Sequence, residues 1–138
     1  MRQLLWIGLG AALGGCLRLG ADLLWQAMAV STFPVATFLV NISGSLLIGY
    51  LAGHWMQDGR EHRVHPWRFH FWVTGFCGGF TTFSSFAWQL QRMLASGEGQ
   101  AAGLYAAASV GFGLIAVWLG LSLAIRRLQT ESSVQENP

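Results

Sequence analysis

Polar side chains recur at helical spacing inside runs that are otherwise apolar. Thr37, Asn41 and Ser45 stand four apart, as do Tyr105, Ser109 and Gly113, so each set shares one helix face. Between the two sets lies Gly75-Phe76-Cys77-Gly78-Gly79-Phe80-Thr81-Thr82-Phe83-Ser84-Ser85-Phe86. Adjacent glycines beside threonines and serines make a poor helix, so the backbone is expected to unwind here. Unwound membrane helices serve ion binding, with freed carbonyls facing a cation and freed amides facing an anion. Phe80, Phe83 and Phe86 follow at spacing three and can line one side of the resumed helix. The plainer alternative is a kinked packing helix with an aromatic stripe, and hydroxyls that bond helix to helix. These residues alone leave both readings open.

The elements that must position them are membrane helices. Of 138 residues, 53% are hydrophobic and 10% charged, against about 25% charged in soluble domains. Four stretches reach the roughly 20 apolar residues that a bilayer crossing takes: Leu4–Met28, Phe33–Trp55, Phe69–Leu90 and Ala101–Ile125. The first continues past Arg18 and Asp22 without a cleavage pattern, so it reads as a retained helix. The fold class expected is an all-α membrane protein of four helices, the third broken near its middle. Residues 1–127 form this domain, and 128–138 a disordered polar tail. Gly10/Gly14 and Gly49/Gly53, at GxxxG spacing, predict close helix contacts.

All eight basic residues are Arg. Arg2, Arg60, Arg63, Arg68, Arg126 and Arg127 fall on the side shared by the termini and the middle loop, with Arg92 and Arg18 opposite. That bias predicts cytoplasmic termini. A net charge of +2, dispersed along the chain, gives no indication of nucleic acid. Cys16 and Cys77 sit in apolar runs and read as small buried hydrophobes. His54, His62, His65 and His70 gather about the middle loop without metal-site spacing. They read as a solvated loop, with a weak pH effect as the functional alternative.

Taken whole, the 75–86 pattern resembles the signature of the small bacterial fluoride channels called Fluc or CrcB. Gly14-Gly15-Cys16-Leu17-Arg18 resembles that family's first-helix GGxxR, and Thr37-Phe38-Leu39-Val40-Asn41-Ile42-Ser43-Gly44-Ser45 its second-helix motif. Ala116-Val117-Trp118-Leu119-Gly120 resembles the close of its fourth helix. The resemblance covers all four spans and implies a passive fluoride-selective channel, not an enzyme, in the bacterial inner membrane. It implies an antiparallel, dual-topology homodimer with two pores and a structural Na⁺ at the dimer axis. Carried over by that resemblance, Asn41 donates its amide to fluoride, and Phe83 and Phe86 present their ring edges. Tyr105 and Ser109 continue a polar track, Ser84 and Thr82 add hydroxyls, and Gly78 and Thr81 give backbone carbonyls to Na⁺. Arg18 serves the vestibule or braces the fold, or pairs with Asp22 one turn on.

The chain departs from the family pattern in places. Ser85 stands where threonine is common, Gly113 where some members carry a hydroxyl, and the middle loop is long and basic. The arginine bias also runs against dual-topology insertion. Among competing classes, a small four-helix cation-coupled or multidrug exporter needs an intramembrane carboxylate, for which Asp22 is the candidate. An intramembrane hydrolase would use Ser43 or Ser84 with a histidine, yet the sequence holds no G-x-S-x-G elbow.

Overall fold

The computed structural model describes residues 1–28, 33–56 and 66–135, with Met56, Pro66 and the last eight as backbone only. Among the described residues the regular elements are all helices, joined by short non-helical links. Helix α1 spans Arg2–Met28, and α2 spans Val35–Met56. Helix α3 covers 66–80: one α-turn Pro66–Phe69, a π-wound stretch His70–Cys77 and a last turn Gly78–Phe80. After a two-residue break, α4 runs Phe83–Ala95 and α5 runs Gly99–Gln135. Of the tail expected to be disordered at 128–138, the backbone continues α5 as far as Gln135, and residues 136–138 lie outside the described residues.

Three helices have the length and composition to cross a membrane: Arg2–Met28, Val35–Trp55 and Gly99–Arg127. The stretch expected as the remaining crossing falls on two shorter helices, α3 and α4. At 27 residues, α1 is about 40 Å long and exceeds the roughly 30 Å hydrocarbon core. Leucines 4, 5, 9, 13, 17, 19, 23 and 24 are exposed along it, as a lipid-facing surface requires. The interior is instead built of small residues, with Ala102, Ala116 and Ala124 buried. Lipid tails are as apolar as leucine, so helices associate where small residues let backbones approach.

Glycine decides which helices pair. A Cβ at Gly10 or Gly14 would meet the α3 backbone at Phe71, Phe76 or Phe80, and one at Gly75 or Gly79 would meet α1 at Ile7 or Ala11. Helix α1 therefore packs backbone to backbone on α3. Gly49 and Gly53 do the same against Val117 and Leu121 of α5, and Gly120 returns the contact to Leu46 and Tyr50. Both expected GxxxG pairs are thus used. Trp6 lies 4.9 Å from Trp67, Trp55 packs on Phe69, and Arg127 donates to the Tyr50 hydroxyl at 3.0 Å. These contacts gather Arg2, Arg68, Arg126 and Arg127 at one end of the bundle. Arg60 and Arg63 lie outside the described residues, as do His62 and His65. Among the described residues, three or more metal-capable side chains do not cluster anywhere.

Candidate functional site

The break in the third crossing lies two residues later than the glycine pair suggests. Gly78 is still helical at φ −65°, ψ −35°, and Gly79 continues the last turn. The backbone becomes extended at Thr81 (φ −77°, ψ 158°) and Thr82 (φ −148°, ψ 122°). Gly79 serves packing against Ala11, not unwinding. Gly78 has nothing near its absent Cβ and faces open space.

An extended interruption within a membrane strands backbone groups that need partners. Here α2 supplies them. Asn41 Nδ2 donates to the Thr82 carbonyl at 3.0 Å, and the Thr82 amide donates to Asn41 Oδ1 at 2.8 Å. In a continuous helix the Thr82 amide would bond the Gly78 carbonyl. Its diversion to Asn41 makes that carbonyl the first one released. Thr81 stays with α3: its amide and its hydroxyl both donate to the Cys77 carbonyl, at 3.0 and 2.8 Å. The Thr81 methyl group fits against α2 where Gly44 lacks a Cβ. Arg18 Nε reaches the Gly79 carbonyl at 3.4 Å, a cation placed at the negative end of the α3 half-helix.

Helix α4 starts with a conventional cap. Thr82 Oγ1 accepts from the Ser85 amide at 3.1 Å and bonds the Ser84 and Ser85 hydroxyls at 3.2 Å. Phe83 and Phe86 follow within the first turn, ring centroids 5.8 Å apart and planes inclined at 45°. Phe86 leans on Tyr105 with centroids 5.2 Å apart, whereas Phe83 is 79% exposed.

These residues border an open groove of about 430 Å³ whose wall includes Asn41, Ser45, Thr82, Phe83, Phe86 and Ser109. The two polar faces read from the sequence, on α2 and α5, therefore meet one another. Ser109 Oγ is buried without a hydrogen-bond partner. Ser45 Oγ sits opposite Gly113, 3.7 Å from where a Cβ would stand. A hydroxyl from α2 thus occupies the stretch where a residue-113 hydroxyl is absent. Gly78 and Thr81 also border the groove, while Ser84 is exposed beside it.

Tyr105 lies behind this wall, fully buried. Its hydroxyl donates to Gln89 Oε1 at 2.9 Å, and Gln89 Nε2 donates to Thr37 Oγ1 at 2.8 Å. Gln89 was not a candidate from the sequence. The signal was its place three residues beyond Phe86, on the same face of α4. Ser43 bonds the Leu39 and Val40 carbonyls of its own helix, and Ser84 bonds Thr82. Neither is arranged as a nucleophile.

The wall holds amide, hydroxyl and aromatic groups without an ionised side chain, a chemistry suited to passing an ion. A family model described as CrcB-like protein, Camphor Resistance (CrcB), matches residues 5–121. The fluoride-specific ion channel FluC of Paramagnetospirillum magneticum is 44% identical over 114 residues, 83% of this chain and 88% of the relative. The protein of the same name from Flavobacterium psychrophilum is 40% identical over 90% of this chain and 98% of its own length. That from Rhodospirillum rubrum is 45% identical over 84% and 89%. With four motifs in order, the broken third crossing between α2 and α5, and a match over most of its length, the chain belongs to the CrcB/Fluc family of membrane proteins.

Proposed function

We propose that the protein is a fluoride-selective channel that lets the anion leave the cytoplasm passively and so lowers its toxicity. The observation that carries this reading is the groove wall, where Asn41, Ser109, Phe83 and Phe86 meet at a helix break. The names of relatives at 40–45% identity support the choice of anion.

Burying a small bare anion costs on the order of 20 kcal/mol in the idealised Born limit. Water must therefore be replaced stepwise. The Asn41 amide has a second N–H beyond the one on Thr82, and Ser109 has an uncommitted hydroxyl; both can donate to the ion. Ring edges of Phe83 and Phe86 offer the positive rim of the aromatic quadrupole. Thr82 and Ser84 add hydroxyls at the helix start, and Tyr105 supports the track from behind Phe86. These are neutral donors, so none holds the anion as a fixed guanidinium would. Arg18, outside the wall, biases the local potential toward anions. Fluoride accumulates as the trapped base of a permeable weak acid, and the membrane potential expels it at about 2.3 kcal/mol per 100 mV.

A second copy in antiparallel orientation completes the pathway, giving two pores between subunits. Exposed Phe83 and Ser84 on an open polar groove support this, because lipid cannot satisfy the hydroxyls there. A structural Na⁺ at the dimer axis is the second element of the assembly. The residues fit it: the Gly78 carbonyl has lost its helical donor to Asn41, Gly78 faces open space, and the extended Thr81 carbonyl follows. Hard oxygen donors suit such a cation. When bound, it would tie the ends of the two α3 half-helices together.

The test is fluoride efflux from proteoliposomes of the purified single-gene protein, run against chloride. Selective fluoride loss is expected. Equal chloride flux would remove the reading, and efflux abolished by Asp22→Asn would favour a coupled exporter.

A further inference from the structure

We propose that Asn41 is a positioning residue as well as an ion donor, clasping the helix break so that Phe83, Phe86 and its own amide hold one orientation. The inference rests on the channel reading and adds to it.

The geometry is a two-point pairing. One side-chain amide takes both backbone groups of one extended residue, at 3.0 and 2.8 Å. The Thr82 amide belongs to neither α3 nor α4, since Thr82 lies between them as the cap of α4, and its carbonyl, which opens the α4 ladder, also takes the Asn41 amide. Within a membrane an unpaired backbone group costs several kcal/mol. Without Asn41 the Thr82 amide would need water drawn into the groove, and the link between the half-helices would lose its defined dihedrals. The cap binds side chain to helix: Thr82 Oγ1 fixes the Ser85 amide, one residue before Phe86. Displacement at Thr82 therefore passes directly to Phe83, the next residue, and to Phe86 in the same turn.

The pairing also sets which way the amide points. An asparagine side chain can present oxygen or nitrogen to its surroundings. Thr82 takes Oδ1 through its N–H and one Nδ2 hydrogen through its carbonyl, and a flipped amide would oppose like groups at both contacts. Only the second Nδ2 hydrogen remains for the groove. An anion there meets a donor and never the carbonyl oxygen. The backbone of Thr82 thereby makes the site anion-selecting through a bond that does not touch the ion.

The experiment separates clasp from ligand. Replacing the 81–82 amide by an ester removes the Thr82 N–H but leaves every side chain, including the Asn41 donor, in place. Fluoride efflux in this variant is expected to fall about tenfold with reduced discrimination against chloride, the scale of losing one buried hydrogen bond. Hydrogen exchange at the Thr82 amide of Asn41→Ala, compared with the unmutated protein in micelles, is expected to quicken by a similar factor. Wild-type flux and selectivity in the ester variant would overturn the proposal, as would unchanged protection of Thr82 in Asn41→Ala. If the unmutated protein passes no fluoride, the channel reading fails instead, and hydrogen exchange alone decides the clasp.

Discussion

Tyr105 donates its hydroxyl to Gln89 at 2.9 Å, and that bond ties the deepest aromatic of α5 to Thr37 on α2 through one glutamine of α4. Tyr105 and Thr37 are both essentially inaccessible, at 0% and 2% exposure. Their polar atoms therefore depend on Gln89. Gln89→Leu should strand both hydroxyls and lower stability by about 1–3 kcal/mol per stranded group. Thermal unfolding in detergent measures this. A double-mutant cycle with Tyr105→Phe should show coupling of about 0.5–3 kcal/mol, and strict additivity would deny the network.

Adjacent glycines at 78 and 79 should respond oppositely to one added methyl. Gly79→Ala drives a Cβ into the Ala11 backbone, which no rotamer change relieves. Overpacking of this kind costs about 1–3 kcal/mol or more. Gly78→Ala meets nothing in its own chain, and alanine favours helix by up to about 1 kcal/mol over glycine. The expected order of melting temperature is Gly78→Ala well above Gly79→Ala. A Gly79→Ala protein that melts like the unmutated one would mean that α1 does not pack on α3 as described.

Those glycines show what the sequence made legible and what it hid. The three long helices and their approximate positions followed from apolar length, because bilayer thickness fixes them independently of tertiary contacts. GxxxG spacing announced the pairs of α1 and α2 for a local reason, close backbone approach. The exact break did not follow from local propensity. Gly78 and Gly79 stay helical because α1 packs there, and the chain opens at Thr81–Thr82 because Asn41, about forty residues earlier, takes the Thr82 amide. Gln89 was hidden for the same reason, its role existing only once α2, α4 and α5 converge. Motif resemblance picked out Asn41, Phe83, Phe86 and Ser109, and the fold sets them on one wall.

Thr82→Val removes the acceptor for the Ser85 amide and the bonds to Ser84 and Ser85 while keeping the side chain's shape. Loss of a threonine cap costs about 1 kcal/mol, so a drop of a few degrees in melting temperature is expected. Thr82→Ser retains the oxygen and should restore most of the loss. Equal melting of the valine and serine variants would show that the hydroxyl does not cap α4.

Phe83 and Phe86 can be told apart because one is packed and the other is not. Phe86 leans on Tyr105 inside the chain, whereas 79% of Phe83 is open. Phe86→Ile should therefore reduce both stability and fluoride efflux, since the ring edge and the support of Tyr105 go together. Phe83→Ile should leave the stability of the chain itself within about 0.5 kcal/mol, as for a surface change. It should still cut fluoride efflux by about tenfold or more, because an aliphatic chain has no positive ring edge to offer an anion. Unfolding and efflux measured on the same preparation separate these outcomes. A Phe83→Ile protein that conducts fluoride at the wild-type rate would show that the exposed ring is membrane packing alone and that the anion does not pass it.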